Sequence, residues 1–102
     1  MQLKIENFKQ NPAVFMRSCG YAFDRSENNE LSFAKRVSNG DFPRYHTYIY
    51  LDQDALVINL HVDQKKPSYT GSHAHAGEYD GPLVEKEIER LRSIFLSSTH
   101  QT

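Results

Sequence analysis

Cysteine is nearly absent from this sequence. Cys19 is the single cysteine among 102 residues, so no disulfide can form within the chain, and zinc sites built from several thiolates are excluded. Any metal that the chain binds must therefore take histidine nitrogen and carboxylate oxygen as ligands. Cys19 itself is predicted to be a small buried residue at the end of a short helix, rather than a nucleophile.

The chain also lacks long hydrophobic runs and an excess of charge of either sign. No run approaches the roughly 18 apolar residues of a transmembrane helix, and the first residues lack the apolar segment of a signal peptide. We therefore expect a cytoplasmic protein with no membrane partner. The formal net charge is −1 and the pI is about 6.5. This balance counts against nucleic acid as a partner, because domains that bind phosphate backbones are usually basic, although a local basic patch is still allowed.

The composition predicts one globular domain. Hydrophobic residues make up 38% of the chain and charged residues 25%, which is typical of a folded domain with a single core. We predict that this domain spans residues 1–102. Within it, residues 1–9 are expected to be a loosely ordered lead-in and residues 98–102 a loosely ordered tail.

Two helices are indicated by capping residues and by apolar spacing. In "NPAVFMRSCG", Asn11 suits the N-cap and Pro12 the first helical position, and a glycine stands just past the end. Val14 and Phe15 are expected to face the core. A second, amphipathic helix is predicted after Pro82, because apolar residues there recur at helical spacing: Val84, Ile88, Leu91, Ile94 and Phe95.

Extended segments lie between the two helices. "YAFDR" and "ELSFAKRV" predict a hairpin around the four-residue turn "SENN", and "RYHTYIYL" and "LVINLHVD" predict a second hairpin around "DQDA". If Leu51 and Leu56 flank that second turn, the apolar residues of both strands share one face. The pairs on that face would be Ile49 with Ile58, Thr47 with Leu60, and Tyr45 with Val62.

These elements predict an α+β fold. An antiparallel three- to four-stranded sheet carries a short N-terminal helix and a C-terminal amphipathic helix on one face, in the order α-β-β-β(-β)-α. In architecture this order resembles the α-β-β-β-α arrangement of double-stranded-RNA-binding domains and of small ribonuclease toxins built like them. No sequence motif of either group is present, and architecture alone does not assign a function.

The opposite face of the sheet carries the candidate site. The two-residue period of a strand places His46 directly opposite His61, with Asp63 two residues further along. The long connection 64–80 starts at this end of the sheet and is expected to fold back toward it. Imidazole nitrogen and carboxylate oxygen suit zinc or manganese, so we predict a divalent metal site. Its predicted ligands are His46, His61, Asp63, His73 and His75.

Two other uses of this face stay open at the level of sequence. His46, His61 and Asp63 could be catalytic residues for acid–base chemistry on a phosphodiester. The face could instead serve a non-catalytic module that binds nucleic acid or a protein. The side chains predicted to bind a substrate or partner are Tyr48, Tyr50, Arg36, Arg44 and Lys65. The sequence does not decide between an enzyme and a binding module, nor does it give the oligomeric state.

Overall fold

A computed structural model describes residues 1–65, 77–78 and 80–99 of the chain. The sheet is antiparallel throughout, in the order β1-β5-β4-β3-β2, and β6 also pairs with β5. The α+β class and the order of the predicted elements are confirmed. The sheet contains more strands than we predicted. The elements in chain order are β1 (Gln2–Ile5), α1 (Pro12–Ser18), β2 (Ala22–Glu27), β3 (Glu30–Arg36), β4 (Arg44–Asp52), β5 (Ala55–Asp63), β6 (Gly77–Glu78) and α2 (Pro82–Thr99).

Strand β1 replaces part of the loosely ordered lead-in that we predicted for residues 1–9. Leu3 and Ile5 are buried and alternate with exposed Gln2 and Lys4, and the strand pairs with β5. The prediction was wrong because an alternation of four residues is too short to identify a strand by itself. The pattern becomes a strand here because the edge of β5 supplies hydrogen-bonding partners.

The register of the β4–β5 hairpin is the one predicted from the sequence. Strand alternation buries one face of the hairpin, so a slip by one residue would bring polar side chains into the core. The observed register therefore follows from the hydrophobic pattern. Its core-facing pairs are Ile49 with Ile58, Thr47 with Leu60, and Tyr45 with Val62.

Both hairpin turns are shorter than predicted. The β2–β3 turn consists of Asn28 and Asn29, with φ of 51° and 64°, and asparagine tolerates this left-handed region, which two-residue hairpin turns require. In the β4–β5 turn, Gln53 adopts a φ of 57°. Ser26 and Glu27 belong to β2 and are exposed, so their polarity made the end of an edge strand resemble a turn.

Helix α1 is capped as predicted but faces the core differently. The Asn11 side chain accepts a hydrogen bond of 3.1 Å from the Val14 backbone N–H. Val14 itself is 57% exposed, whereas Phe15 and Met16 are buried, so the predicted core role of Val14 was wrong. A helix of seven residues buries only one narrow side. Gly20 follows the helix with a φ of 96°, a conformation that favours glycine.

Helix α2 packs through the predicted apolar side. Val84, Ile88 and Leu91 are buried in the same core as Phe15 of α1, and Ile94 and Phe95 are partly buried against that core. Both helices therefore lie on one face of the sheet, which leaves the His46 face uncovered by either. The helix extends to Thr99, so the first two residues of the predicted tail are helical. Within the described ranges, neither helix is both long and apolar enough to cross a membrane.

A buried polar network, not foreseen from the sequence, ties α2 to the end of α1. Glu87 is only 3% exposed. Its carboxylate accepts hydrogen bonds from the Tyr21 hydroxyl at 2.6 Å and from Arg90 Nε at 2.8 Å. Arg90 Nη2 also donates to the Cys19 carbonyl at 2.7 Å. Cys19 is itself buried, as predicted.

The chain returns to the end of β5 after the long connection. In β6, Gly77 lies opposite Asp63 and Glu78 lies opposite Val62. This pairing agrees with the expectation that the connection folds back to the sheet end that carries Asp63. The predicted ligands His73 and His75 lie outside the described residues.

Candidate metal centre

Three of the predicted ligands meet on the open face of the sheet. His46 of β4 lies directly opposite His61 of β5, and their ring centroids are 4.9 Å apart. Asp63 lies two residues beyond His61 on the same strand, so its side chain leaves the same face. The predicted strand register alone is sufficient to bring these three side chains together.

Asp63 connects the two imidazoles. Its Oδ2 lies 3.2 Å from His46 Nδ1, and its Oδ1 lies 2.9 Å from His61 Nε2. The exposed fractions of the three side chains are 13% for His46, 11% for His61 and 20% for Asp63. The cluster is therefore shielded by its neighbours but still reaches solvent.

The electrostatics of the cluster keep Asp63 ionised. Burial by itself raises the pKa of Asp63, but hydrogen bonds from His46 and then His61 outweigh burial and hold that pKa well below its ordinary value. An ionised carboxylate can only accept hydrogen bonds. The nitrogens that face it, His46 Nδ1 and His61 Nε2, therefore carry protons when no metal is bound.

Ser32 and Asp24 lie behind His46, and the sequence did not predict either of them as part of the site. Ser32 Oγ lies 2.6 Å from His46 Nε2 and also donates a hydrogen bond of 3.2 Å to Asp24 Oδ2. Ser32 is 2% exposed, on β3. In the β3–β4 register, Ser32 lies two residues from Ala34, the residue opposite His46, so that register would have identified Ser32 as a neighbour. No comparable signal exists for Asp24, because the β2–β3 register shifts between Phe23 and Arg25.

Tyr48 forms a third aromatic ring beside the histidines. Its ring centroid lies 4.7 Å from that of His46 and 5.9 Å from that of His61. Tyr50 lies two residues nearer the hairpin turn and is 36% exposed. Of the two tyrosines predicted to bind a partner, Tyr48 therefore contacts the His/Asp cluster directly.

The predicted cationic side chains lie beyond Asp63. Arg44 is directly opposite Asp63, and Arg36 is directly opposite Arg44. Lys65 follows the end of β5 and is exposed. Two of the three predicted cations thus share a row of the sheet with a member of the cluster.

The three-residue cluster could hold a metal ion. His46, His61 and Asp63 each offer one ligand atom, and these atoms all lie within 4.8 Å of one another. Two imidazoles and one carboxylate are a ligand set found for zinc and for iron(II) in proteins. Among the described residues, this is the one group of three or more such side chains that meets this distance.

Comparison with known proteins adds no relative. No protein-family model matches the chain, and no curated protein or solved structure matches it significantly. The likeness to double-stranded-RNA-binding domains and ribonuclease toxins therefore remains one of element order. The functional proposal therefore rests on the arrangement of the His46, His61 and Asp63 side chains.

Proposed function

We propose that this chain binds one divalent transition-metal ion, zinc or manganese, through His46 Nδ1, His61 Nε2 and one oxygen of Asp63. The observation that carries the proposal is that His46, His61 and Asp63 each offer one ligand atom within 4.8 Å of the others. His46 Nδ1 and His61 Nε2 are the nitrogens in contact with Asp63. Ligands bound tetrahedrally at about 2.1 Å lie about 3.4 Å from one another. The present contacts of 2.9 and 3.2 Å are made by different oxygens, Oδ1 to His61 and Oδ2 to His46, so rotation of the Asp63 carboxylate would bring one oxygen to that spacing from both nitrogens.

The hydrogen bonds behind His46 support Nδ1 as the ligand atom. When a metal replaces the Nδ1 proton, the neutral imidazole carries its remaining proton on Nε2. That N–H can then donate to Ser32 Oγ, 2.6 Å away, while the Ser32 hydroxyl donates to Asp24. Each donor has an acceptor in this arrangement. Such outer partners orient metal-binding histidines and raise their basicity.

The charge state of the ligands also favours metal binding. The pKa of Asp63 lies well below its ordinary value, so this oxygen ligand needs no deprotonation near neutral pH. Histidine binds a metal only as neutral imidazole. We therefore expect metal affinity to fall on acidification because of the histidines and not because of Asp63.

Among the described residues the proposed site has three protein ligands, and three ligands leave a coordination position for water. Sites of this kind are usually catalytic, and zinc lowers the pKa of a bound water to about 7. We propose hydrolysis of an ester as the chemistry that this centre supports. In that reaction the oxygen of the water bonds to the attacked atom, the ester bond breaks, and the departing oxygen takes the proton that the water releases.

Acid–base chemistry without a metal is the second candidate function. Ser32 Oγ lies 2.6 Å from His46 Nε2, and Asp63 lies on the other nitrogen of the same ring, which suits a histidine that moves a proton while a carboxylate orients it. This candidate predicts activity that survives a chelator. The metal proposal predicts that activity is lost with the chelator and restored by added metal.

Metal analysis of protein purified without a histidine tag tests the proposal. We expect close to one zinc or manganese ion per chain, and a melting temperature that rises on adding metal and falls on adding a chelator. The Asp52→Asn variant is a control, because Asp52 lies at the opposite end of the β4–β5 hairpin and is exposed. Protein that contains no zinc, manganese or iron, and whose melting temperature does not change on adding metal or chelator, would refute the proposal.

A further inference from the structure

Two arginines stand directly opposite each other next to the metal cluster. Arg36 of β3 is paired with Arg44 of β4, and Arg44 is paired in turn with Asp63 of β5. Like charges at directly opposed positions of a sheet destabilise it. A pair of this kind therefore needs a counter-charge, either from the protein or from a ligand.

The protein neutralises only part of this charge. Arg36 forms an ion pair of 3.1 Å with Asp41. The Arg44 guanidinium lies 4.3 Å from the centroid of the Phe42 ring, and its Nε is buried without a hydrogen-bond partner. Asp63 directs both carboxylate oxygens to the histidines. Among the described residues, no carboxylate pairs with Arg44, so its charge lacks a counter-charge and its buried Nε donor is unsatisfied.

A cavity of about 490 Å³ lies between these arginines and the edge of the sheet. Three cationic side chains and one acid contribute to its wall, and small residues keep it open. One of the lining residues, Ala34, lies directly opposite His46 in the sheet, and another, Arg44, lies directly opposite Asp63. Its volume is within the usual range for small-molecule sites. The lining residues are Gly20, Ala22, Ala34, Lys35, Arg36, Asp41 and Arg44.

We propose that Arg36 and Arg44 bind the phosphate group of an ester substrate beside the metal, an inference that rests on the metal-binding function proposed above. A guanidinium presents a planar fork of donors that matches two phosphate oxygens. Arg44 lies two residues from His46 along β4, a distance of roughly 6–7 Å. That spacing joins Cα atoms. Because both side chains leave the same face of β4, a phosphate group could place one oxygen at the metal and the others at the arginines. A phosphate monoester offers three non-bridging oxygens for these three groups, whereas a phosphodiester or a carboxylate offers only two and would leave one group without a partner.

The side-chain Nε–H signals of isotope-labelled protein test this inference, with phenyl phosphate and dimethyl phosphate as probes. We expect the Arg44 and Arg36 signals to shift on titration, with tighter binding once zinc is loaded. Phenyl phosphate, a monoester with three non-bridging oxygens, should bind more tightly than dimethyl phosphate, a diester with two. Tighter binding of dimethyl phosphate would contradict the use of three oxygens.

Single substitutions distinguish specific binding by Arg36 and Arg44 from attraction of the probe by overall surface charge. Arg44→Gln and Arg36→Gln should each weaken probe binding by about tenfold or more, since each removes a charge-assisted hydrogen bond. Arg92→Gln removes an equal charge from the exposed side of α2, where Arg92 pairs with Glu89, and should leave probe binding unchanged. Equal weakening by Arg92→Gln would overturn the inference, because it would show attraction by overall charge alone.

Zinc binding by the same variants distinguishes failure of this inference from failure of the metal proposal. Arg44→Gln should still bind zinc, because Arg44 is not one of the three ligands and removal of a neighbouring positive charge does not oppose binding of a cation. Zinc binding without any probe-induced shift at Arg44 or Arg36 would refute the phosphate site and leave the metal centre intact. Probe-induced shifts in protein that does not bind zinc would support the phosphate site and refute the metal centre.

Discussion

The substitution Asp63→Asn tests the cluster most economically. It preserves the shape of the side chain but removes the charge that faces both imidazoles. In the parent chain, Asp63 makes contacts of 3.2 Å to His46 and 2.9 Å to His61, and charge-assisted hydrogen bonds generally contribute about 1.5–3 kcal/mol each. The amide oxygen can still accept one of the two bonds, so we expect the free energy of unfolding of the metal-free protein to fall by about 1–3 kcal/mol.

The pH dependence of this difference has a definite sign. The pKa of Asp63 is lower in the folded chain than its ordinary value, so ionisation of this carboxyl stabilises the folded state. That contribution is complete above the unfolded pKa of about 3.9, and it is lost as the pH falls from there toward the folded value. The gap in stability between parent and variant should therefore persist at neutral pH and shrink below about pH 4.

Urea unfolding at several pH values and zinc titration are the assays for Asp63→Asn. We expect zinc affinity to fall by more than about 100-fold, beyond the 10–100-fold typical for loss of a ligand's partner, because a ligand itself is lost. Asp52→Asn, at an exposed site with an ion pair of 3.7 Å to Lys4, should change stability by less than about 0.5 kcal/mol. Unchanged zinc affinity together with unchanged stability in Asp63→Asn would refute the role assigned to this carboxylate.

Two further substitutions test the groups that support the site and the fold. Ser32→Ala should lower zinc affinity by about 10–100-fold in a titration, because His46 Nε2 loses its acceptor. Ser32→Thr keeps a hydroxyl and should restore most of that affinity. Equal zinc affinities for the parent chain and both variants would contradict this role of Ser32. Glu87→Gln should destabilise the chain by about 1–3 kcal/mol in urea unfolding, because the buried Glu87 side chain loses its charge-assisted hydrogen bonds, while Arg90 is 37% exposed and its charge is screened by solvent. Glu89→Gln, at an exposed position of the same helix, is the matched control, and equal effects of the two substitutions would argue against a buried network.

The sequence was sufficient to predict the β4–β5 hairpin and the proximity of His46, His61 and Asp63. Alternation of apolar and polar residues fixed which face of each strand is buried, and the leucines that flank the turn fixed the register. That register places His46 opposite His61. The turn itself was predicted too long by two residues, but the register survived because Leu51 still lies opposite Leu56.

Contacts between elements that are distant in sequence could not be predicted in the same way. Ser32 reaches His46 because β3 pairs with β4 in a particular register, and Asp24 reaches Ser32 at an irregularity of the β2–β3 pairing. The β1 strand depends on the exposed edge of β5. Glu87 is buried because Tyr21 and Arg90 satisfy its carboxylate, which the periodicity of α2 alone does not indicate.

The central claim is that His46 Nδ1 and His61 Nε2 bind the same metal ion. Long-range proton–nitrogen spectra of the histidine rings test it most directly, because they show which ring nitrogen carries a proton and which binds metal. With one equivalent of zinc, the claim predicts protons on Nε2 of His46 and on Nδ1 of His61, with the opposite nitrogen of each ring metal-bound. Spectra of both rings that stay unchanged on adding zinc would contradict it.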